Sequence, residues 1–352
     1  MAAQERLVFD VEWTDPKSGV LWPLQLVHSP RDETVELFDT RAQRVFLKRT
    51  HYPQVRLEHL FPGGVVVVLA RTLRILGAAD ATTKKRLDST REAVFILVAN
   101  HALQYVGAVL HRAQSVAGLT LVNAKLVNLS PADASRLSRD VDADDGPCLG
   151  FELFSSAAGG AAELLRKALE PATFGYYACG PAASADAAFF FNVLPPASCV
   201  ARGTALAVVK PHVVLARQAG QVLDALVKEF RITGCTVAKL DRVQAASFLT
   251  VYDGVVTEYP HLVEELTSGP ALAVECAPRE DGDSRESVVQ QLRDLAGPAD
   301  PELARLLRPQ ALRAKFGIDK VRNGIHVTDL ESDGELEAAT MFKLAQHGGG
   351  VR

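Results

Sequence analysis

Ala205-Leu206-Ala207-Val208-Val209-Lys210-Pro211-His212 has a twin earlier in the chain, Val94-Phe95-Ile96-Leu97-Val98-Ala99-Asn100-His101. Each apolar run has strand length and ends on polar residues. A helical stretch follows in both places, at residues 107–117 and 220–230, and then a second strand, at 119–126 and 235–240. Gly146-Pro147 with Glu152 parallels Gly269-Pro270 with Glu275, and Phe174-Gly175 parallels Phe316-Gly317. Residues 92–191 and 204–344 therefore read as two copies of one unit, with Pro195-Pro196 as the linker. The order β-α-β, helices, strand predicts an α+β fold in which helices cover an antiparallel sheet.

The copies differ where chemistry is expected. The second ends in Arg322-Asn323-Gly324-Ile325-His326-Val327-Thr328-Asp329, with Glu337 eleven residues after the histidine. An imidazole attacks phosphorus when one ring nitrogen is free and a carboxylate holds the other N–H. Glu337 is the expected carboxylate, with Glu331 and Glu335 nearby as alternatives. The first copy is shorter. It has Ala99 where the second has Lys210, and Tyr176-Tyr177-Ala178-Cys179-Gly180-Pro181 stands in place of the histidine stretch, with Cys179 at the histidine position. It is expected to be catalytically inactive. His101 and His212 match between the copies and are expected to serve structure.

Residues 1–88 read as a small β module, with strands near 6–13, 24–28, 34–38 and 65–69 separated by turn residues such as Asp15-Pro16 and Gly63-Gly64. Trp13 and Trp22 are expected in its core or rim. Arg41, Arg44, Lys48, Arg49 and Arg56 form a basic strip, either a solvated face or a contact for an acidic partner. Lys84-Lys85-Arg86 reads as a linker.

Of the 352 residues, 48% are hydrophobic and 23% charged, and the formal net charge is −4. That balance demands neither nucleic acid nor a membrane. Cys148, Cys179, Cys199, Cys235 and Cys276 show no metal-ligand spacing and read as core residues in a reducing compartment. No apolar run approaches a membrane span, and the first residues do not resemble a signal peptide. The expectation is a soluble, intracellular protein.

With these residues in place, the second copy resembles nucleoside diphosphate kinase. That family's pattern is a strand ending K-P-D, a mid-domain S-G-P, an arginine-bearing helix, then R-N-x-x-H-G-S-D. The matching residues here are Lys210-Pro211-His212, Ser268-Gly269-Pro270, Arg293, Arg313, and the stretch from Arg322 through Asn323, His326 and Thr328 to Asp329. The resemblance implies ferredoxin-like kinase folds for residues 89–194 and 203–346. It also implies that His326 accepts the γ-phosphoryl group as phosphohistidine and Glu337 holds its other nitrogen. Lys210, Arg293 and Arg313, with Arg322 and Thr328 nearby, handle the phosphates, while Asn323 and Lys210 reach the ribose hydroxyl. Mg²⁺ arrives with ATP or another nucleotide, and no separate metal site is expected. Four departures bear on nucleotide affinity: Leu249 for the family tyrosine (with Tyr252 one turn on), Ala299 for a threonine, Val327 for a glycine, and Glu258 or Tyr259 at the base-stacking slot.

The order of modules, the opening Glu5-Arg6 to Trp13, the strip Arg44 to Thr50, the run Val255 to Tyr259 and the run Gly297 to Pro309 resemble a branch of this family found in ciliary axonemes. That resemblance implies a pleckstrin-homology-like (PH-like) fold for residues 1–88. It also implies tubulin and other axonemal microtubule proteins as partners, location in the cilium or flagellum and the cytoplasm, and an internal pseudo-dimer of the two kinase-like copies. The alternative is a soluble cytoplasmic kinase whose role is nucleotide phosphotransfer.

Overall fold

The structure, a computed structural model, describes residues 6–347 except 16–17, 19, 62–63, 138–145, 156–159, 170–173, 198–202 and 280–286. Pro16, Gly63 and Cys199 lie outside the described residues. The chain packs as two units, residues 1–91 and 92–352.

In the first unit, β1 (Leu7–Thr14), β2 (Leu21–Ser29), β3 (Thr34–Asp39), β4 (Arg44–His51), β5 (Val65–Val68) and β6 (Arg71–Ala78) form one antiparallel sheet in the order β4-β3-β2-β1-β6-β5. Period-two alternation turns Leu7, Phe9 and Val11 of β1 and Val35 and Leu37 of β3 onto one buried face. Trp13, Trp22 and Phe46 cluster with ring centroids 6.0 to 6.3 Å apart, and the Arg71 guanidinium lies 5.2 Å from the Trp13 and Phe46 rings. β6 follows β5 through a two-residue turn at Leu69 and Ala70, both with positive φ. Hairpin turns of that kind normally use glycine or asparagine.

Lys84-Lys85-Arg86 is no linker. It lies in α1 (Ala81–Thr90), where Asp80 caps the helix by accepting from Thr83 N at 2.6 Å. Leu87 enters the core, and the buried Thr83 hydroxyl accepts from Val8 N at 2.9 Å. The basic run is the solvated side of an amphipathic turn.

The second unit is built on an eight-stranded sheet of order β10-β7-β9-β8-β12-β13-β11-β14. Its first half comprises β7 (Glu92–Val98), β8 (Thr120–Asn128), β9 (Pro147–Ser155) and β10 (Gly175–Cys179). The second comprises β11 (Ala205–Val209), β12 (Arg231–Ala238), β13 (Ala271–Ala277) and β14 (Ile325–Val327). The halves share the order outer, first, third, second, and they join where β8 meets β12, at Lys125 and Thr236. One face carries α2 (Val106–Ala117), α4 (Ala161–Ala168), α7 (Ala219–Glu229) and α10 (Val288–Ala296). On the other face Phe95 and Leu97 pack against α5 (Pro181–Asn192), while Leu206 and Val208 pack against α8 (Arg242–Phe248), α9 (Tyr259–Leu266) and α13 (Gly334–His347). Cover on both faces explains why β7 and β11 are continuous apolar runs. Cys148, Cys235 and Cys276 are buried and Cys179 is half-buried. Among the described residues, no helix is long and apolar enough to cross a membrane and no group of three or more His, Cys, Asp or Glu could hold a metal ion.

α2 packs on α7 with backbone against backbone. A Cβ on Gly107 would lie 2.0 Å from Asp224 N, and one on Gly220 would lie 2.3 Å from His111 N. The buried Gln114 accepts from Gly220 N at 3.2 Å.

Strand register corrects the alignment of the copies. Val209 pairs with Ile325 and Val208 with His326, while Val98 pairs with Gly175 and Leu97 with Tyr176. Lys210 N donates to Gly324 O, and the equivalent Ala99 N donates to Phe174 O. Tyr176, not Cys179, therefore occupies the histidine position, and Phe174-Gly175 is equivalent to Gly324-Ile325 rather than to Phe316-Gly317. The excursion holding α11 (Pro301–Leu307) and α12 (Leu312–Phe316) has no counterpart among the described residues of the first half. Tyr176 is buried and donates to Asp186 Oδ2 at 3.2 Å from the position where the second half holds its histidine and glutamate. Burial, then the Asp186 carboxylate, drives the Tyr176 hydroxyl pKa well above its ordinary value. A tyrosine–aspartate hydrogen bond stands where the second half has His326 beside Glu337.

Two outcomes are expected. Gly220→Val places a branched side chain where two helix backbones touch and lowers stability by at least about 3 kcal/mol, read by urea unfolding of the full chain. Tyr176→Phe removes one buried hydrogen bond to Asp186 and costs about 0.5–1.5 kcal/mol in the same assay.

Candidate active site

β11 ends at Val209, and Lys210 then caps α6 (Pro211–Leu215), which Pro211 begins. Proline suits this position because its missing N–H would be unpaired there in any case. The antiparallel neighbour β14 delivers His326 beside it. α13 approaches closely enough that a Cβ on Gly334 would lie 2.1 Å from Thr204 O, and one turn later it presents Glu337. His326 Nε2 lies 3.6 Å from Glu337 Oε1. That is longer than a hydrogen bond and within the slack common before substrate binds. His326 Nε2 and the Glu337 Oε2 atom are both buried without a hydrogen-bond partner among the described residues. Burial works to raise the Glu337 pKa, but the His326 ring and the Thr328 hydroxyl outweigh it and hold the carboxyl below its ordinary value. Glu337, rather than Glu331 or Glu335, faces the histidine: Glu331 accepts from Ser287 Oγ and Glu335 from Gly203 N.

His326 lines a cavity of about 490 Å³ together with Lys210, Arg313, Asn323, Asp329, Lys320, Phe248, Leu249, Tyr252 and Glu258. Phe248 packs edge-on against His326 with centroids 5.2 Å apart, and Tyr252 does so at 6.3 Å. Tyr252 donates to Asp329 Oδ2 at 2.5 Å. Lys210, only 7% exposed, donates from Nζ to Val321 O at 2.6 Å. Arg313 donates to Ile325 O at 3.2 Å and Gly297 O at 2.8 Å. Asn323 donates to Ala299 O at 3.1 Å, and its buried Oδ1 lacks a partner. A cationic floor, an unpaired amide oxygen and an imidazole on one cavity form a fitting receptacle for a polyphosphate with hydroxyls attached.

Other expected residues stand outside the cavity lining. Arg293 donates to Asp329 O at 3.1 Å and is otherwise exposed. Arg322 is exposed in an ion pair with Asp319. Thr328 is fully buried, and its hydroxyl accepts from Leu206 N at 3.0 Å. At the base-stacking slot Glu258 lines the cavity, whereas Tyr259 bonds to Ala246 O at 3.4 Å. Phe248 was not singled out from sequence. Its only signal is an aromatic at the end of α8, which is equally a core signal.

The family profile described as "Nucleoside diphosphate kinase" matches residues 203–346, the half that holds this cavity. Similarity to mouse "Nucleoside diphosphate kinase homolog 7" reaches 32% identity over 97% of this chain and 93% of the mouse protein. "Nucleoside diphosphate kinase" of Aquifex aeolicus is 30% identical over 39% of this chain and 92% of its own length. A crystal form of the Aquifex enzyme aligns over 40% of this chain and 94% of its own, with a TM-score of 0.36 and 28% identity. Similarity along nearly the whole of both chains, together with a family match on the half bearing His326, carries one conclusion: the chain belongs to the nucleoside diphosphate kinase family.

Proposed function

We propose that residues 203–346 transfer the γ-phosphoryl group between nucleoside tri- and diphosphates in two steps. His326 Nδ1 attacks the γ-phosphorus, the bond to the β–γ bridging oxygen breaks and the diphosphate leaves. A terminal oxygen of a second diphosphate then attacks the same phosphorus and the N–P bond breaks. Glu337 accepts from Nε2–H and offsets the ring's positive charge during attack. Lys210 and Arg313 hold the phosphates and the charge that spreads over them, since phosphoryl transfer depends on positioning and electrostatics. Asn323 meets the sugar hydroxyl, and Mg²⁺ enters with the nucleotide as part of the substrate. Arg293 and Arg322 serve at the rim. The observation that carries this reading is the convergence of Lys210, Arg313, Asn323 and His326 on one cavity, with Glu337 behind the His326 ring.

The half containing β7 to β10 is assigned no catalysis. It serves as the packing partner of the second half, an internal pseudo-dimer in which residues 89–194 keep the fold and have lost the nucleophile. Residues 1–88, with six antiparallel strands and a following helix, support a PH-like module that docks the protein on an acidic surface. Following the resemblance of the whole chain, that surface is assigned to tubulin in the axoneme of cilia or flagella. The specific support is β4, the sheet's edge strand, where Arg44 and Lys48 are exposed beside Arg41. Arg49 is held by Asp32 and contributes less free charge.

Labelled ATP should place an acid-labile phosphoryl group on the full chain, and His326→Ala should abolish it. Equal labelling of that variant would remove His326 from the mechanism. Reversing charge at Arg41, Arg44 and Lys48 together should leave labelling intact and reduce co-sedimentation with microtubules, more so at low salt. Unchanged co-sedimentation would move the docking surface elsewhere.

A further inference from the structure

Behind Lys210 lies a pair of ionisable side chains that the phosphotransfer scheme does not use. Glu265, near the end of α9, is 8% exposed. Its Oε1 accepts from His212 Nδ1 at 2.6 Å and from His212 N at 3.3 Å, and its Oε2 lies 3.5 Å from Ser268 Oγ. His212 is two residues after Lys210, in the first turn of α6. Because Pro211 has no N–H, His212 supplies the first helix amide that a carboxylate can engage. The buried Nε2 of His212 has no partner. A proton on Nδ1 alone therefore lets the ring donate to Glu265 without creating a second unpaired buried N–H.

We propose that Glu265 is a positioning residue for Lys210, the buried counter-charge that keeps its ammonium protonated at the phosphate floor, and that His212 holds that carboxylate in place. The inference rests on the phosphate-binding reading of Lys210 given above. A solvent-screened lysine needs no such support, but Lys210 is nearly inaccessible and, among the described residues, its ammonium donates to one neutral acceptor, Val321 O. Burial pushes its pKa down to about 8. Three charged groups act on it. Glu265 from α9 and Asp319 from the loop after α12 favour the charged form and Arg313 from α12 opposes it, while His212 from its own helix bonds to Glu265. Asp319 is ion-paired with the exposed Arg322 at 2.6 Å, and of the two carboxylates Glu265 acts the more strongly on Lys210. Lys210 is charged below its pKa and loses charge as pH rises through it. Removing Glu265's charge moves that loss to lower pH, into the range where the enzyme must hold phosphates.

The test is competitive acylation of the full chain by acetic anhydride between pH 6 and 10. Lys210 modification is read by mass spectrometry in wild type, Glu265→Gln and Glu265→Asp. Glutamine preserves volume and can still accept from His212 N. The expected result is a Lys210 midpoint lower by about one pH unit in Glu265→Gln, with Glu265→Asp between it and wild type. ATP binding by Glu265→Gln should be several-fold weaker at pH 8.5 and return toward wild type at pH 6.5, where the lysine regains its proton. A merely structural glutamate predicts a loss of binding that pH does not rescue. An unchanged Lys210 midpoint in Glu265→Gln overturns the proposal. If wild type neither binds ATP nor labels on His326, the functional reading fails, while the acylation midpoint still decides the role of Glu265.

Discussion

The site depends on the register between β11 and β14. Val208 opposite His326, and the Lys210 N–H on Gly324 O, place an ammonium and an imidazole from distant parts of the chain on one wall of one cavity. A one-residue slip would turn His326 toward the opposite face of the sheet. Buried Val209 and Ile325 hold the register from one face, and Val208 against α13 holds it from the other. Everything else at the site is attached to these two strands or to the helices covering them. Tyr252 and Phe248 brace the imidazole, α13 brings Glu337, and the excursion through α11 and α12 brings Arg313 and Asn323.

The same register operates in the first half with different chemistry. Ala99 has no charge to bury, and Tyr176 bonds to Asp186 where the second half leaves a histidine slack beside a glutamate. A satisfied buried hydrogen bond stabilises, whereas an unsatisfied one costs and marks function. The first half has moved to the satisfied state, and the second retains His326 Nε2, Glu337 Oε2 and Asn323 Oδ1 unsatisfied around its cavity. The sheet continues from one half to the other through β8 and β12, and α2 lies on α7 at glycine distance. The half holding Tyr176 thus covers an edge and a helix face of the half holding His326.

Much of this was legible from residues whose signals are local. The twin apolar runs at Val94 and Ala205 mark strands covered on both faces, and the grouping of Lys210, Arg313, Asn323, His326 and Glu337 follows from family spacing. The misses have physical causes. β6 follows a turn of Leu69 and Ala70, residues that do not announce left-handed backbone. α1 was hidden because Lys84, Lys85 and Arg86 dominate its composition, while its anchors Thr83 and Leu87 are single residues. Cys179 was aligned to the histidine because a shortened loop shifts sequence spacing without shifting strand register. Side-chain direction also escaped: Thr328 lies outside the cavity lining, and its buried hydroxyl meets Leu206 N and Glu337 instead. The Glu265–His212 pair spans two elements and has no sequence signature.

One fold is present twice, and phosphoryl chemistry is proposed for its second copy alone. Rapid-quench mixing of the full chain with excess nucleoside triphosphate, without acceptor, measures it directly. The account predicts a burst of one diphosphate and one acid-labile phosphoryl group per chain, discharged completely by added diphosphate. Two equivalents per chain would give the first half a nucleophile that Tyr176 cannot supply. No burst would show that the cavity around His326 does not perform phosphoryl transfer.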